Sequence, residues 1–124
     1  MTRLLLLAAA GAAGTLARYG LSSWVRQWSS GGFPYGTLAV NGLGCLLFGI
    51  ILTLSREKGL LAEETATWIM VGFLGAFTTF STFAFESGDL LRAGEMGAAM
   101  ANVVANVVIG MGLFFAGVWL ARLA

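Results

Sequence analysis

Gly75-Ala76-Phe77-Thr78-Thr79-Phe80-Ser81-Thr82-Phe83, residues 75–83, decides how this chain is read. Four hydroxyls and three phenyl rings sit within nine residues, in the middle of a long apolar run. Hydrocarbon offers no water to backbone or hydroxyl groups, so polar groups at that depth face a partner helix or an aqueous path. Gly72 and Gly75 precede the β-branched and hydroxyl residues, which predicts a helix broken near Gly75 to Thr79. A break frees carbonyls, which must then meet a cation, a water or another chain.

Outward from that stretch, the 124-residue chain is 58% hydrophobic and 10% charged. Soluble domains carry about 25% charged residues, so the charges here are too few to coat a soluble surface. A bilayer core about 30 Å thick needs roughly 20 apolar residues per helix. The sequence supplies four such runs, at about residues 4–25, 34–54, 66–91 and 98–121. The expectation is an all-α membrane protein, one domain over residues 1–124, with four transmembrane helices and the third broken. Short connectors hold the turn residues, with Ser29-Ser30-Gly31-Gly32 before Pro34 in the first; Pro34 suits a first helical position. Trp24, Trp28, Phe33, Tyr35, Trp68 and Trp119 fall at the expected headgroup level. Arg3, Leu4–Leu7 and Ala8–Ala10 have the outline of a cleavable signal. The run continues to Val25, longer than a signal core needs, so a retained first span is expected.

A net charge of +1 gives no reason to expect a nucleic-acid partner. There is no histidine, and Cys45 is the single cysteine. No metal-ligand spacing and no nucleophile–base pair stands out, so an enzyme is not expected. Four spans put both termini on one side, with Arg3, Arg56, Lys58 and Arg122 against Arg26 and Arg92, and Arg18 set deeper. This lysine and arginine bias is weak for the positive-inside rule. A small chain of that kind is expected to insert both ways and to pair as two inverted copies.

Within the spans, a few residues carry chemistry. Arg18 reads either as a boundary anchor or ion pair, or as a fixed charge drawing anions into a vestibule. Thr37 and Asn41 share a helix face, as do Asn102, Asn106 and Gly110. They read either as interhelical hydrogen bonds, worth about 0.6 kcal/mol each, or as a polar track. Phe80 and Phe83 lie three apart beside Ser81 and Thr82. Such rings usually pack or meet lipid, but their edges carry positive potential that a small anion can approach. Glu86 and Asp89 read as a solvated helix end, a partner for Arg18, or a gate.

Three blocks then carry a resemblance: Gly14-Thr15-Leu16-Ala17-Arg18, Gly36-Thr37-Leu38-Ala39-Val40-Asn41, and the stretch from Gly72 to Phe83, with Glu86 beyond it. Together they resemble the Fluc/CrcB fluoride channel family over essentially the full length. The resemblance implies a passive, multi-pass fluoride channel of the bacterial inner membrane, exporting cytoplasmic fluoride. It implies an antiparallel dual-topology homodimer with two fluoride paths along the subunit interface. By position, Phe80 and Phe83 would line each path and Asn41 would donate to fluoride, with Thr37 and Ser81 nearby. Main-chain carbonyls of Gly75 and Thr78 from both subunits would hold a central structural Na+, and Arg18 would lie near a vestibule. Two departures stand out: Ala76 where relatives often have glycine, and Asn102 and Asn106 where relatives often show hydroxyls. The rival readings are a small multidrug-type proton-coupled antiporter and a non-transporting assembly subunit. The antiporter would need a carboxylate in the first span, and none precedes Glu57.

Overall fold

The computed structural model describes residues 1–29 and 31–124; Ser30 of the first connector lies outside the described residues. The chain forms α1 (Thr2–Trp28), α2 (Tyr35–Arg56), a third span in pieces, and α6 (Met96–Leu123). The third span comprises α3 (Glu63–Thr67), a π-helical segment Trp68–Leu74, α4 (Gly75–Phe77) and α5 (Phe80–Arg92). Among the described residues, four stretches are long and apolar enough to cross a membrane, with the third counted from Glu63 to Arg92. Each reaches a few residues beyond its expected bounds, because the charged and aromatic flanks also take helical form. Pro34 is the exception. It stands just before α2 rather than inside it (φ −82°, ψ 61°), and its carbonyl accepts from Leu38 N–H at 3.2 Å.

The third span breaks inside the expected window, but not at its glycines. Thr78 and Thr79 are extended, with ψ of 156° and 112°. Threonine side chains satisfy the new helix ends. Thr78 Oγ1 donates back to the Leu74 carbonyl at 2.9 Å, and Thr79 Oγ1 caps α5 by accepting from Thr82 N–H at 3.2 Å. Gly72 serves packing instead: it is buried where a Cβ would press on Ala10. Upstream, the turn widens, and Gly75 N–H reaches Met70 O five residues back.

α2 pairs with α6 along most of its length, while α1 covers the first half of the third span. The buried core is small, centred on Val40, Leu74 and Phe77. Most large apolar side chains face outward instead, among them Leu16, Val104, Val108 and Phe115. In water that surface would drive aggregation; in lipid it costs nothing. The ends are tied by charge. Arg3 meets Glu64 at 2.9 Å and Arg122 meets Glu57 at 2.8 Å.

Candidate functional site

Beside the break, a groove of about 590 Å³ is lined by residues of α2, the break, α5 and α6. Phe80 and Phe83 lie on its wall, with ring centroids 5.5 Å apart and planes tilted by 58°. Phe80 is 79% exposed although it sits in a span. Asn41 from α2 and Asn106 and Gly110 from α6 also line it. A Cβ at Gly110 would come no closer than ordinary contact, 3.4 Å from Cys45 Sγ.

The Asn41 and Asn106 amides are fully engaged. Thr79 N–H donates to Asn41 Oδ1 at 2.9 Å. Asn41 Nδ2 donates to Thr79 O at 3.2 Å and to Asn106 Oδ1 at 3.0 Å. Asn106 Nδ2 donates to both Asn102 O and Asn102 Oδ1 at 3.0 Å. Asn102 Nδ2 donates to Ser87 Oγ at 2.9 Å, and Ser87 donates to the Phe83 carbonyl at 2.8 Å. Spacing placed Asn102 beside Asn106 correctly, but Asn102 does not line the groove. It is fully buried and reaches the groove through Asn106 and, by way of Ser87, through Phe83.

Thr37 and Asn41 share a face yet serve different spaces. Thr37 Oγ1 donates to Glu86 Oε1 at 2.8 Å. Both line a polar cavity of about 540 Å³ together with Arg26 and Asp89. Glu86 Oε2 is buried there without a hydrogen-bond partner among the described residues. Glu86 sits within α5 rather than at its solvated end, and it bonds Thr37 rather than Arg18. Arg18 lines a third space of about 320 Å³ with Arg26, Thr37, Thr79 and Thr82, and it has no ion pair among the described residues. Ser81 lines none of these three spaces and touches Thr79 Oγ1 at 3.4 Å. Thr79, by contrast, lines both the groove and the Arg18 space.

The carbonyls at the break are also distinctive. In a continuous helix Thr79 N–H would bond Gly75 O, and Thr82 N–H would bond Thr78 O. Those donors go instead to Asn41 Oδ1 and Thr79 Oγ1. The Gly75 and Thr78 main-chain oxygens thereby lose their helical donors. No group of three or more His, Cys, Asp or Glu residues able to hold a metal occurs among the described residues.

Sequence reasoning missed Ser87 and the side-chain bonds by which Thr78 and Thr79 close the helix ends. The signal for Ser87 was present: it is a hydroxyl four residues past Phe83, hence one turn along the same face. Cys45 also lines the groove, as does Gly110.

Comparison with known proteins adds a consistent finding. Residues 5–118 match the family described as CrcB-like protein, Camphor Resistance (CrcB). A fluoride-specific ion channel FluC of Solidesulfovibrio magneticus is 49% identical over 117 residues, covering 94% of each chain. One from Nitrosococcus oceani is 44% identical over 117 residues, again 94% of each. One from Thermus thermophilus is 45% identical over 115 residues, 93% of this chain and 90% of its own.

Proposed function

The chain belongs to the CrcB family, and from that premise we propose that it conducts fluoride passively across the bacterial inner membrane, relieving the cytoplasm of a toxic ion. It is a channel and not an enzyme. The observation that carries this reading is the groove where two phenyl rings and two amides converge between apolar helices. Fluoride holds its water tightly, and stripping it in low dielectric without replacement partners is prohibitive. Amide hydrogens and the electropositive edges of Phe80 and Phe83 are partners of the right sign. A passage narrow enough to need them excludes a larger halide by size and donor geometry. Asn41 brings the donor, Asn106 shares its amide contact, and Asn102 acts on the ion through Asn106. Arg18, in its hydroxyl-lined space, supplies positive potential at a vestibule. Thr37 and Ser81 flank the path, Thr37 through Glu86 and Ser81 through Thr79.

The working unit is an antiparallel homodimer. An exposed phenyl ring and an open groove in one chain favour a second copy as the missing wall, and the weak charge bias favours insertion in both orientations. The released carbonyls of Gly75 and Thr78, doubled by the partner, form a hard-oxygen set that suits Na+, whose charge would add a favourable field for anions nearby. The test is efflux from reconstituted vesicles, read by a fluoride electrode with chloride as control, in sodium and in sodium-free media. Fluoride efflux without chloride efflux is expected. Equal leakage of both ions, or none of fluoride, refutes the channel. Reporter fusions giving one orientation for every copy refute the dual topology, and full activity after exhaustive sodium removal refutes the structural cation.

A further inference from the structure

The amide bonds of the groove run in one direction. From Thr79 N–H to Asn41, Asn106, Asn102, Ser87 and the Phe83 carbonyl, every donor points the same way. Both ends are fixed by the main chain of the third span. Thr79 N–H can only donate, so Asn41 must turn its oxygen to it. The Phe83 carbonyl can only accept, so the single Ser87 proton goes there and Asn102 must donate to Ser87. Asn102 therefore turns its oxygen toward Asn106, and Asn106 meets it with its NH2 group. That leaves only the Asn106 oxygen to face Asn41. Side-chain amides are normally ambiguous in orientation and are assigned from such networks; here the two fixed ends leave one solution.

This order has a functional consequence. Asn41 has two N–H bonds to give, and both are taken, by Thr79 O and Asn106 Oδ1. The donor that an anion needs is already covered by a neutral oxygen. Asn106 offers no spare donor either, since its NH2 group faces Asn102. Building on the fluoride-channel reading, we infer that Asn106 is a specificity-determining residue: its amide oxygen occupies the Asn41 donor until an anion displaces it, and the buried Asn102 and Ser87 are positioning residues that hold it there.

Entry is then an exchange. The ion takes the Asn41 N–H, and Asn106 Oδ1 withdraws into the groove. Fluoride, small and of high charge density, is a far stronger hydrogen-bond acceptor than an amide oxygen and wins the exchange. Chloride spreads the same charge over a larger surface and gains less by the swap. The resting groove meanwhile keeps no unsatisfied amide donor, which would be costly at that depth. Asn102 is fully buried and Ser87 is 8% exposed, so neither can reach an ion directly.

The test compares wild type, Asn106→Ala, Ser87→Ala and Ser87→Thr in vesicles, measuring fluoride and chloride efflux on each preparation. Asn106→Ser replaces the alanine variant where that variant does not assemble, since a serine oxygen is too short to reach Asn41. Loss of the competing oxygen should raise chloride efflux above the wild-type chloride leak by roughly tenfold, the scale of one net hydrogen bond. Ser87→Ala should move chloride the same way by a smaller factor, and Ser87→Thr, which keeps the hydroxyl, should restore exclusion. Chloride exclusion unchanged in Asn106→Ala or Asn106→Ser, or Ser87→Thr leaking like Ser87→Ala, overturns the inference. Wild type that fails to pass fluoride refutes the channel reading itself. Wild type that passes fluoride beside an unaltered Asn106 variant refutes only the exchange.

Discussion

α2 meets its neighbours through two faces, and they are built on opposite principles. Toward α6 the contact is backbone on backbone. A Cβ at Gly49 would overlap the Phe114 carbonyl, and one at Gly117 would overlap the Leu46 carbonyl. Toward the third span the same helix packs Val40 against Leu74 and Phe77 but also presents Thr37 and Asn41, so that amides, hydroxyls and an open groove share the space between. Small residues let helices close without a hydrophobic drive, which lipid does not supply. Polar side chains hold helices at a distance and in register. The closed face thus frames the molecule, and the open face is free to hold groups that a small anion can use.

The strongest way to break this comparison is to force the closed face apart. Gly49→Leu puts a side chain where only a carbonyl fits, and overpacking against backbone has no flexible neighbour to yield. A loss of about 3 kcal/mol or more is expected, seen as little detergent-stable protein and a collapsed thermal transition. A Gly49→Leu protein that melts and conducts like wild type would show that α2 and α6 are not held by close approach.

The open face should respond in function rather than in stability. Phe80→Ile and Phe83→Ile keep an apolar side chain but remove the ring edge. Fluoride efflux should fall by about tenfold, the scale of an aromatic interaction lost at the transition point, with the melting transition little changed because neither ring is part of the buried core. Unaltered flux in both variants would discredit the rings as pathway walls. A large drop in stability would mean that the open face also carries structural weight.

The contrast also explains what could be read in advance. Four spans were legible because hydrocarbon imposes length and apolarity on each. The break was legible because threonines and glycines cluster where a continuous helix needs neither. Its exact place within the Gly75–Thr79 window was not, since Thr78 and Thr79 depart from helix through bonds to Leu74, Thr82 and Asn41, the last of which lies 38 residues away in sequence. The same limit applies to the asparagines. Spacing pairs Asn102 with Asn106, but only the packing of α5 on α6 makes one a buried support and the other a groove residue. The π-helical turn left no sign in the apolar pattern, because widening one turn changes the register without changing which residue types face lipid.

The smallest expected effect sits at the end of the closed face. Arg122 donates two bonds to the Glu57 carboxylate, at 2.8 and 2.9 Å, and Lys58 donates to the Arg122 carbonyl at 2.9 Å. This clamp joins the ends of α2 and α6, but its side chains are open to solvent, and exposed pairs contribute little. The Arg122 hydrogen bond, helped by the charges of Arg122 and Lys58, holds the Glu57 carboxyl below its ordinary value. A carboxyl lowered by folding stabilises the protein at pH values above its unfolded pKa, and that gain is lost as pH falls through the folded value. Glu57→Gln should therefore lower the melting temperature slightly at neutral pH, less than either change above, and the two proteins should converge in acid. Added salt should narrow the gap at neutral pH. If the deficit instead persists in acid and in salt, the clamp acts through hydrogen-bond geometry rather than charge, and the closed face owes its ends to more than the glycines at its centre.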